Sequence, residues 1–272
     1  MFNIFEIANF LGRPVCLYEF VWGETTYRYT SADRVIPYGG EDYAPIAISD
    51  SGFTQGVTAQ DFTVTLPRSN PIVELFRQTP PSSSITLICR RFHKDDPDEE
   101  AVVYWSGTVA NVRGKDAISA EIIGTPLSST MRRTGLRLCW ERGCPHALYD
   151  GGCKVNKNLF KTVTTITAKT GTSVTVGSLG AFGASRYSGG FIEWEATDEG
   201  TLDRRGIESS GGGNALNLLG TTDRLEIGMA VNVYLGCDLT AATCQSVFNN
   251  LPNHGGFHFL PGKSPFDGNP VF

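Results

Sequence analysis

The sequence predicts a mainly β protein built from two β-rich units, a small cysteine-rich region and a few short helices. Segments of strand length, rich in β-branched and aromatic residues, recur along the chain. With 31 glycines and 14 prolines in 272 residues, turns are frequent and long helices are disfavoured. No heptad pattern and no internal repeat offers a competing architecture. A hydrophobic content of 40% is enough to bury a substantial core.

The elements follow in order. From Pro14 to Trp22 the residues Cys16, Tyr18, Phe20 and Trp22 alternate on one side, Gly23-Glu24 turns, and Thr25 to Thr30 returns as the second arm of a hairpin. Phe62 to Leu66, Ile85 to Phe92, Val102 to Val112 and Ala117 to Ile123 are further strands. A short helix interrupts them: Asn70 caps it, Pro71 suits its first position, and Ile72, Leu75 and Phe76 share a face. The charge run His93 to Glu100 lies between two strands and is expected to be a solvated hairpin loop. Thr125 to Thr134 breaks the strand pattern and leads into the cysteine-rich stretch, which sets a domain boundary near residue 130. Residues 1–130 are then an N-terminal β domain, and residues 131–272 a C-terminal cysteine-rich region with an inserted β unit at about 160–235.

Within that insert, Thr162 to Val176 forms strands about a Lys169-Thr170-Gly171 turn, Phe191 to Ala196 alternates, and Met229 to Leu235 is a last strand. Glu208 to Asn214 reads as an exposed flexible tip. Thr240 caps a helix over Ala241 to Phe248, in which Cys244, Val247 and Phe248 share one face.

The formal net charge of −5 argues against a nucleic-acid binder built on a basic face and favours protein partners. No apolar run reaches the roughly 18 residues of a bilayer span. The N-terminal Met1 to Pro14 has neither a basic leading region nor a small-residue cleavage site, so it is not expected to act as a signal peptide, and synthesis in a cytoplasm is expected.

Seven cysteines, five of them between 139 and 244, are an odd number for a disulfide framework in a chain of this size. Clustered thiols in a reducing compartment are metal ligands, reactive groups or buried small hydrophobes. Cys144 and Cys153 are separated by eight residues that Pro145 and Gly151-Gly152 force to turn, and Cys237 and Cys244 bracket the first turn of a helix. Two loop thiolates and two helix-end thiolates give four sulfurs, the donor set of zinc or an iron–sulfur cluster. The wide spacings differ from the tight C-x₂₋₄-C knuckles of zinc sites and suit a larger cluster. Cys139 either replaces one of the four or packs beneath them beside Trp140, and Cys16 and Cys89 belong in the core of alternating strands. A cysteine hydrolase using Cys144 with His146, or with His254 or His258, has no nucleophile elbow or papain-like signature behind it, so no catalytic residue is assigned. The Gly211 to Gly213 run lacks the Lys-Ser/Thr of a phosphate loop.

The text Gly143-Cys-Pro-His-Ala-Leu-Tyr-Asp-Gly-Gly-Cys153, then Gly236-Cys-Asp-Leu-Thr-Ala-Ala-Thr-Cys-Gln-Ser-Val-Phe-Asn-Asn250 and Gly255 to Gly262, resembles the C-terminal part of tailed-phage tail-tip hub proteins. It is similar to the hub (baseplate) proteins of gene-transfer agents and to the minor tail protein L of lambdoid phages. Val15-Cys-Leu-Tyr-Glu-Phe20 with Tyr27-Arg-Tyr-Thr30 looks like the opening strands of the same proteins. The resemblance implies a structural, non-enzymatic virion protein made in the host cytoplasm and placed at the tail tip or baseplate. It implies two tube- or hub-type β-domains and a homotrimeric ring. That ring would join the tail tube and distal tail protein to the central fibre or tip attachment protein, with no sequence-specific nucleic-acid contact. It further implies a structural [4Fe–4S] cluster, or zinc in its place, on Cys144, Cys153, Cys237 and Cys244. The long insert between Cys153 and Cys237 departs from the shorter lambdoid pattern.

Overall fold

The structure is a computed structural model that describes residues 2–7, 14–52, 62–93, 96–132, 135, 139–210 and 212–260. It is mainly β with few short helices, as expected. Two compact units divide it: Met1–Arg133 with Glu195–Asp203, and Thr134–Trp194 with Arg204–Phe272. The segment 195–203, which lies inside the inserted stretch in sequence, therefore groups with the first unit.

In the first unit, α1 (Phe2–Ile7) precedes β1 (Pro14–Trp22), β2 (Thr25–Thr30), β3 (Ile36–Tyr38), β4 (Glu41–Pro45), β5 (Ser49–Asp50) and β6 (Phe62–Pro67). Then come α2 (Pro71–Leu75), β7 (Thr86–His93), β8 (Ala101–Gly114) and β9 (Ser119–Pro126). The nine strands form one sheet in the order β3-β4-β2-β1-β7-β8-β9-β6-β5. The β1–β2 hairpin turns at Gly23, whose φ of 57° is the left-handed conformation glycine adopts freely. Asn70 Oδ1 accepts the Ile72 N–H at 2.9 Å and caps α2, which buries Ile72.

The alternation predicted for β1 is what the core uses. Tyr18, Phe20 and Trp22 are buried with Val64, Leu66, Leu87 and Ile122 in one cluster, while Leu17 faces a second one with Ile36, Tyr43 and Phe92. Trp105 stacks on Phe62 with ring centroids 4.5 Å apart, and it has room to do so because β9 carries glycine at 124. A Cβ there would stand 2.5 Å from Trp105 Cη2. The charge run between β7 and β8 is a loop solvated from Pro97 to Glu100, as expected, but not at its start: His93 and Asp96 are buried, and Glu6 of α1 accepts from Arg91 and lies 2.8 Å from His93 Nε2. Residues 94–95 of that run lie outside the described residues.

The strands β10 (Lys161–Thr170), β11 (Ser173–Val176), β12 (Phe191–Glu195), β13 (Leu202–Ser210), β14 (Ala215–Leu218) and β15 (Ala230–Tyr234), which belong to the second unit except for Glu195, Leu202 and Asp203, close a barrel in the order β10-β11-β14-β13-β12-β15. The helix α3 (Ala241–Ser246) follows it, two residues shorter than the sequence suggests, and Thr240 Oγ1 accepts the Thr243 N–H as its cap. Glu208 to Ser210 are strand rather than flexible tip, because Ser209 and Ser210 pair with β14 past an irregularity at Glu208; Gly211 of that stretch lies outside the described residues. Ile166, Val174, Ile192, Ile207, Leu216, Val231 and Val233 are buried at alternating positions, as one face of a closed sheet requires.

Strand β12 does not alternate as predicted: Ile192, Glu193 and Trp194 are buried in succession. Its second face is covered too. Glu193 accepts hydrogen bonds from Tyr234 Oη at 2.8 Å and Arg204 Nε at 2.9 Å, and Lys157 Nζ lies at 3.3 Å. Burial works against the Glu193 carboxylate, but these partners together hold its pKa below the usual carboxylate value.

Two outcomes follow from this packing. Gly124→Ala should lower stability by about 1–3 kcal/mol in denaturant unfolding, because the added methyl must displace an immobile ring and no φ constraint is involved. For Glu193 the native carboxyl binds its proton less readily than the unfolded one. Its stabilising contribution is therefore complete above the ordinary carboxylate range and disappears as pH falls through the depressed native pKa. Thermal melting across pH 3–6 should show a steeper acid loss in the native protein than in Glu193→Gln; parallel curves would show that this carboxylate does not carry the dependence.

Candidate functional site: a cavity walled by four cysteines

The chain enters the barrel at Lys161 and leaves it at Tyr234, and these two residues face each other across the β10–β15 ladder. The cysteine-bearing stretches before and after the barrel are thereby delivered to one place. Cys144, Cys153, Cys237 and Cys244 all line one small cavity, with Leu148, Val155, Leu239 and Phe248 as apolar wall. Cys144, Cys153 and Cys244 are buried and Cys237 is half-buried. They ring the cavity rather than converge on a point: among the described residues, no three His, Cys, Asp or Glu side chains are gathered closely enough to hold a single metal ion.

Each cysteine is held by main-chain geometry. Cys144 N–H donates to the Leu239 carbonyl at 2.9 Å, tying the first cysteine loop to the Cys237 segment. Asp150 accepts the N–H groups of Cys153 at 2.6 Å, Gly152 at 2.9 Å and Ala147 at 3.1 Å, and these bonds, that of Cys153 foremost, keep its carboxyl below the usual range. Gly236, just before Cys237, passes so close to the Ser188 carbonyl that no side chain fits there. Asp238 accepts from Thr240 and Thr243 and so fixes the start of α3 beside the site.

Two N–H donors are aimed at sulfur. Leu239 N–H donates to Cys237 Sγ at 3.3 Å, and the Asn250 amide, which donates to the Cys153 carbonyl at 2.6 Å, lies 3.8 Å from Cys153 Sγ. Burial pushes the Cys237 thiol up, and Asp238, Cys153 and Cys144 add to this against the Leu239 N–H. Cys244 is raised first by burial and then by Cys237, Cys144 and Cys153. The Cys237 and Cys244 thiols thus both feel Cys144 and Cys153.

The backbone around this cavity is strained. Among the described residues five non-glycine residues have positive φ, and Tyr149, Lys154, Leu239 and Asn249 all lie beside the cysteine segments. Tyr149 is held there by its Oη, which donates to the Leu235 carbonyl at 3.0 Å, and by edge contacts to Phe191, Tyr234 and Phe248.

The histidines are packed against main chain. His146 lines the cavity with its ring so close to Gly152 and Gly255 that a Cβ at either would collide with it. His254 also lines the cavity, with Nδ1 and Nε2 each 3.3 Å from a carbonyl oxygen, of Gly256 and Leu239. His258 lies against Phe259. Cys139 is exposed and is not among the residues lining the cavity, although the neighbouring Trp140 stacks on Phe257 at 4.7 Å. Cys16 and Cys89 lie in the first unit, with Cys89 buried and its thiol pushed up by that burial. Asn250 and the left-handed Tyr149 were not singled out in the sequence; the Gly-Gly pairs at 151–152 and 255–256 are the signal that backbone passes close to a ring there.

Comparison with known proteins bears on this architecture. Residues 185–264, which include Cys237 and Cys244, match a family described as "Phage conserved hypothetical protein BR0599". An uncharacterized protein of Xylella fastidiosa (strain 9a5c) is 28% identical over 166 residues, 56% of this chain and 34% of that protein. The match therefore spans about a third of that relative's length. A chain in the structure titled "Virion of native gene transfer agent (GTA) particle" superposes with a TM-score of 0.78 over 99% of both chains, at 16% identity. The chain thus has the fold of a chain in a gene-transfer-agent virion, and residues 185–264 are similar to a phage protein family.

Proposed function

We propose that the chain is a non-enzymatic structural protein of a phage-type virion. In this reading it is a tail-tip hub, three copies of which close a ring joining the tail tube and distal tail protein to the central fibre or tip attachment protein. The observation that carries the reading is the fold likeness to a virion chain along 99% of both lengths. The phage family match over residues 185–264 supports it independently. Rings of like subunits close through heterologous contacts, and two β-rich units in one chain suit a trimer set on a sixfold tube.

In the same reading Cys144, Cys153, Cys237 and Cys244 would hold a [4Fe–4S] cluster; thiols that ring a cavity suit a cluster, whereas zinc, the alternative, would require them to close in on one point. The fit rests on four sulfurs around one cavity, an apolar wall, and N–H donors at Cys237 and Cys153 of the kind that compensate cluster charge. When bound, the cluster would supply a rigid four-point cross-link and an electron-accepting centre. The chain's own part is to keep the thiols together: the Cys144–Leu239 bond joins the two cysteine segments, and Asn250 joins the end of α3 to Cys153.

Anaerobically purified protein should be brown and contain about four irons per chain. Serine at 144, 153, 237 or 244 should each remove the colour and lower the melting temperature of the second unit, whereas Cys16→Ala, Cys89→Ala, Cys139→Ser and His254→Ala should keep the iron. A colourless, zinc-containing protein would replace the cluster by zinc, and retention of iron in any of the four serine variants would break the assignment at that position. Particle imaging should find three copies at the end of the tail tube; six copies, or a place in the capsid shell, would sink the hub reading.

A further inference from the structure

The long strand β8 is paired on each side along only part of its length. On one side β7 covers it from Ala101 to Thr108, with Val109 N–H donating to the Ile85 carbonyl as the last bond. On the other side β9 covers Gly107 to Gly114. Among the described residues, no strand pairs with Asn111 to Gly114 on the β7 side.

The ladder register says which groups face that open side. Lys115 N–H donates to the Ser119 carbonyl at 3.1 Å, so these two form a hydrogen-bonded pair. Bonded and non-bonded pairs alternate in an antiparallel ladder, which makes Gly114–Ala120 and Val112–Ile122 non-bonded pairs. The main-chain groups of Val112 and Gly114 therefore point away from β9. The Val112 N–H is held at 2.8 Å by the amide oxygen of its neighbour Asn111, which leaves the Val112 carbonyl and both groups of Gly114 directed outward.

Val112 and Gly114 of β8 with Ala120 of β9 form one wall of a cleft whose other wall is the C-terminal end of α2, with Val73 and Phe76 as apolar lining and with Arg68, Arg77 and Arg113 outnumbering the single lining carboxylate, Glu74. Among the described residues no carboxylate pairs with Arg68, and the other cations hold exposed or shared partners. Arg77 pairs with exposed Glu74 at 2.9 Å, and Arg113 and Lys115 share Glu121. The Asp116 carboxylate is taken up by Ile118 and Ser119 of the turn, and Arg68 reaches the Asp116 main-chain carbonyl at 3.5 Å. Exposed ion pairs of this kind contribute about 0–1 kcal/mol each, so an incoming carboxylate can exchange with them. Gly114 leaves the floor open, since a Cβ there would meet nothing nearer than the Arg68 guanidinium at 3.6 Å.

From this juxtaposition we propose that the cleft between β8 and α2 binds an extended acidic segment of a partner protein, which adds as a strand to Val112–Gly114 while its carboxylates engage Arg68 and Arg77. Main-chain pairing supplies affinity in such strand addition, and bidentate arginine–carboxylate contacts supply selectivity. The proposal stands apart from the cysteine cavity and needs no metal.

The test uses the full chain, an acetylated nonapeptide alternating glutamate with valine and threonine, its lysine-for-glutamate counterpart, an acidic version N-methylated at alternate amides, and inorganic phosphate. The acidic peptide should bind and shift the Gly114 amide resonance. Arg68→Gln should weaken it at least tenfold without changing the melting temperature, and N-methylation should abolish it. No binding, equal binding of the lysine or N-methylated peptide, an unmoved Gly114 amide, or full competition by phosphate at equal concentration would each overturn strand addition at this edge.

Discussion

The second unit depends on one pairing, that of Lys161 with Tyr234, by which the last barrel strand returns to the first. Joining distant chain positions costs loop entropy that grows as about (3/2)RT ln n. Here the barrel meets that cost with its own ladder and interior packing. Cys153 stands shortly before Lys161 and Cys237 shortly after Tyr234, so the four thiols are brought to one cavity by the protein scaffold. The ladder that closes the barrel thus also fixes where the first cysteine-bearing segment ends and the second begins.

Once the ends are together, local geometry becomes exacting. Tyr149, Lys154, Leu239 and Asn249 accept the left-handed region, which costs of order 1–3 kcal/mol per residue and persists only where surroundings over-determine it. The surroundings are identifiable: the Tyr149 ring among Phe191, Tyr234 and Phe248, the Cys144–Leu239 hydrogen bond, and the His146 ring filling the space above Gly152 and Gly255. The tail from His254 to Phe257 is bound back onto the first cysteine loop, where Phe257 N–H donates to the Glu141 carbonyl at 2.8 Å. Strain, close glycine approaches and thiols coincide at this one cavity.

Much of the fold was legible in the sequence where hydrophobic alternation meets strong turn chemistry. The β1–β2 hairpin and the Asn70 and Thr240 caps are local features, written within a few residues of where they act. Less legible were elements whose formation depends on distant partners. Strands β3, β4 and β5 have two to five residues each and exist because Tyr29 and Thr30 pair in parallel with Ala44 and Pro45, and because Thr65 meets Ser49. The same applies to β12, whose second face is buried by residues on three other segments, so that no period-two signal survives. For the cavity, spacing and flanking glycines exposed the four cysteines, whereas the role of Asn250 lies in a contact 97 residues away in sequence and leaves no trace in it.

The closure of the barrel also orders events in time. Translation at about 5–20 residues per second separates the emergence of Cys153 from that of Cys237 by several seconds, and antiparallel pairings between distant strands form slowly in their turn. Throughout that interval Cys144 and Cys153 are nascent, uncovered thiols with no partners yet made. The interval before the first strand meets the last is therefore when oxidants or competing ions have freest access to these two residues, and completion of the Lys161–Tyr234 pairing is what ends it.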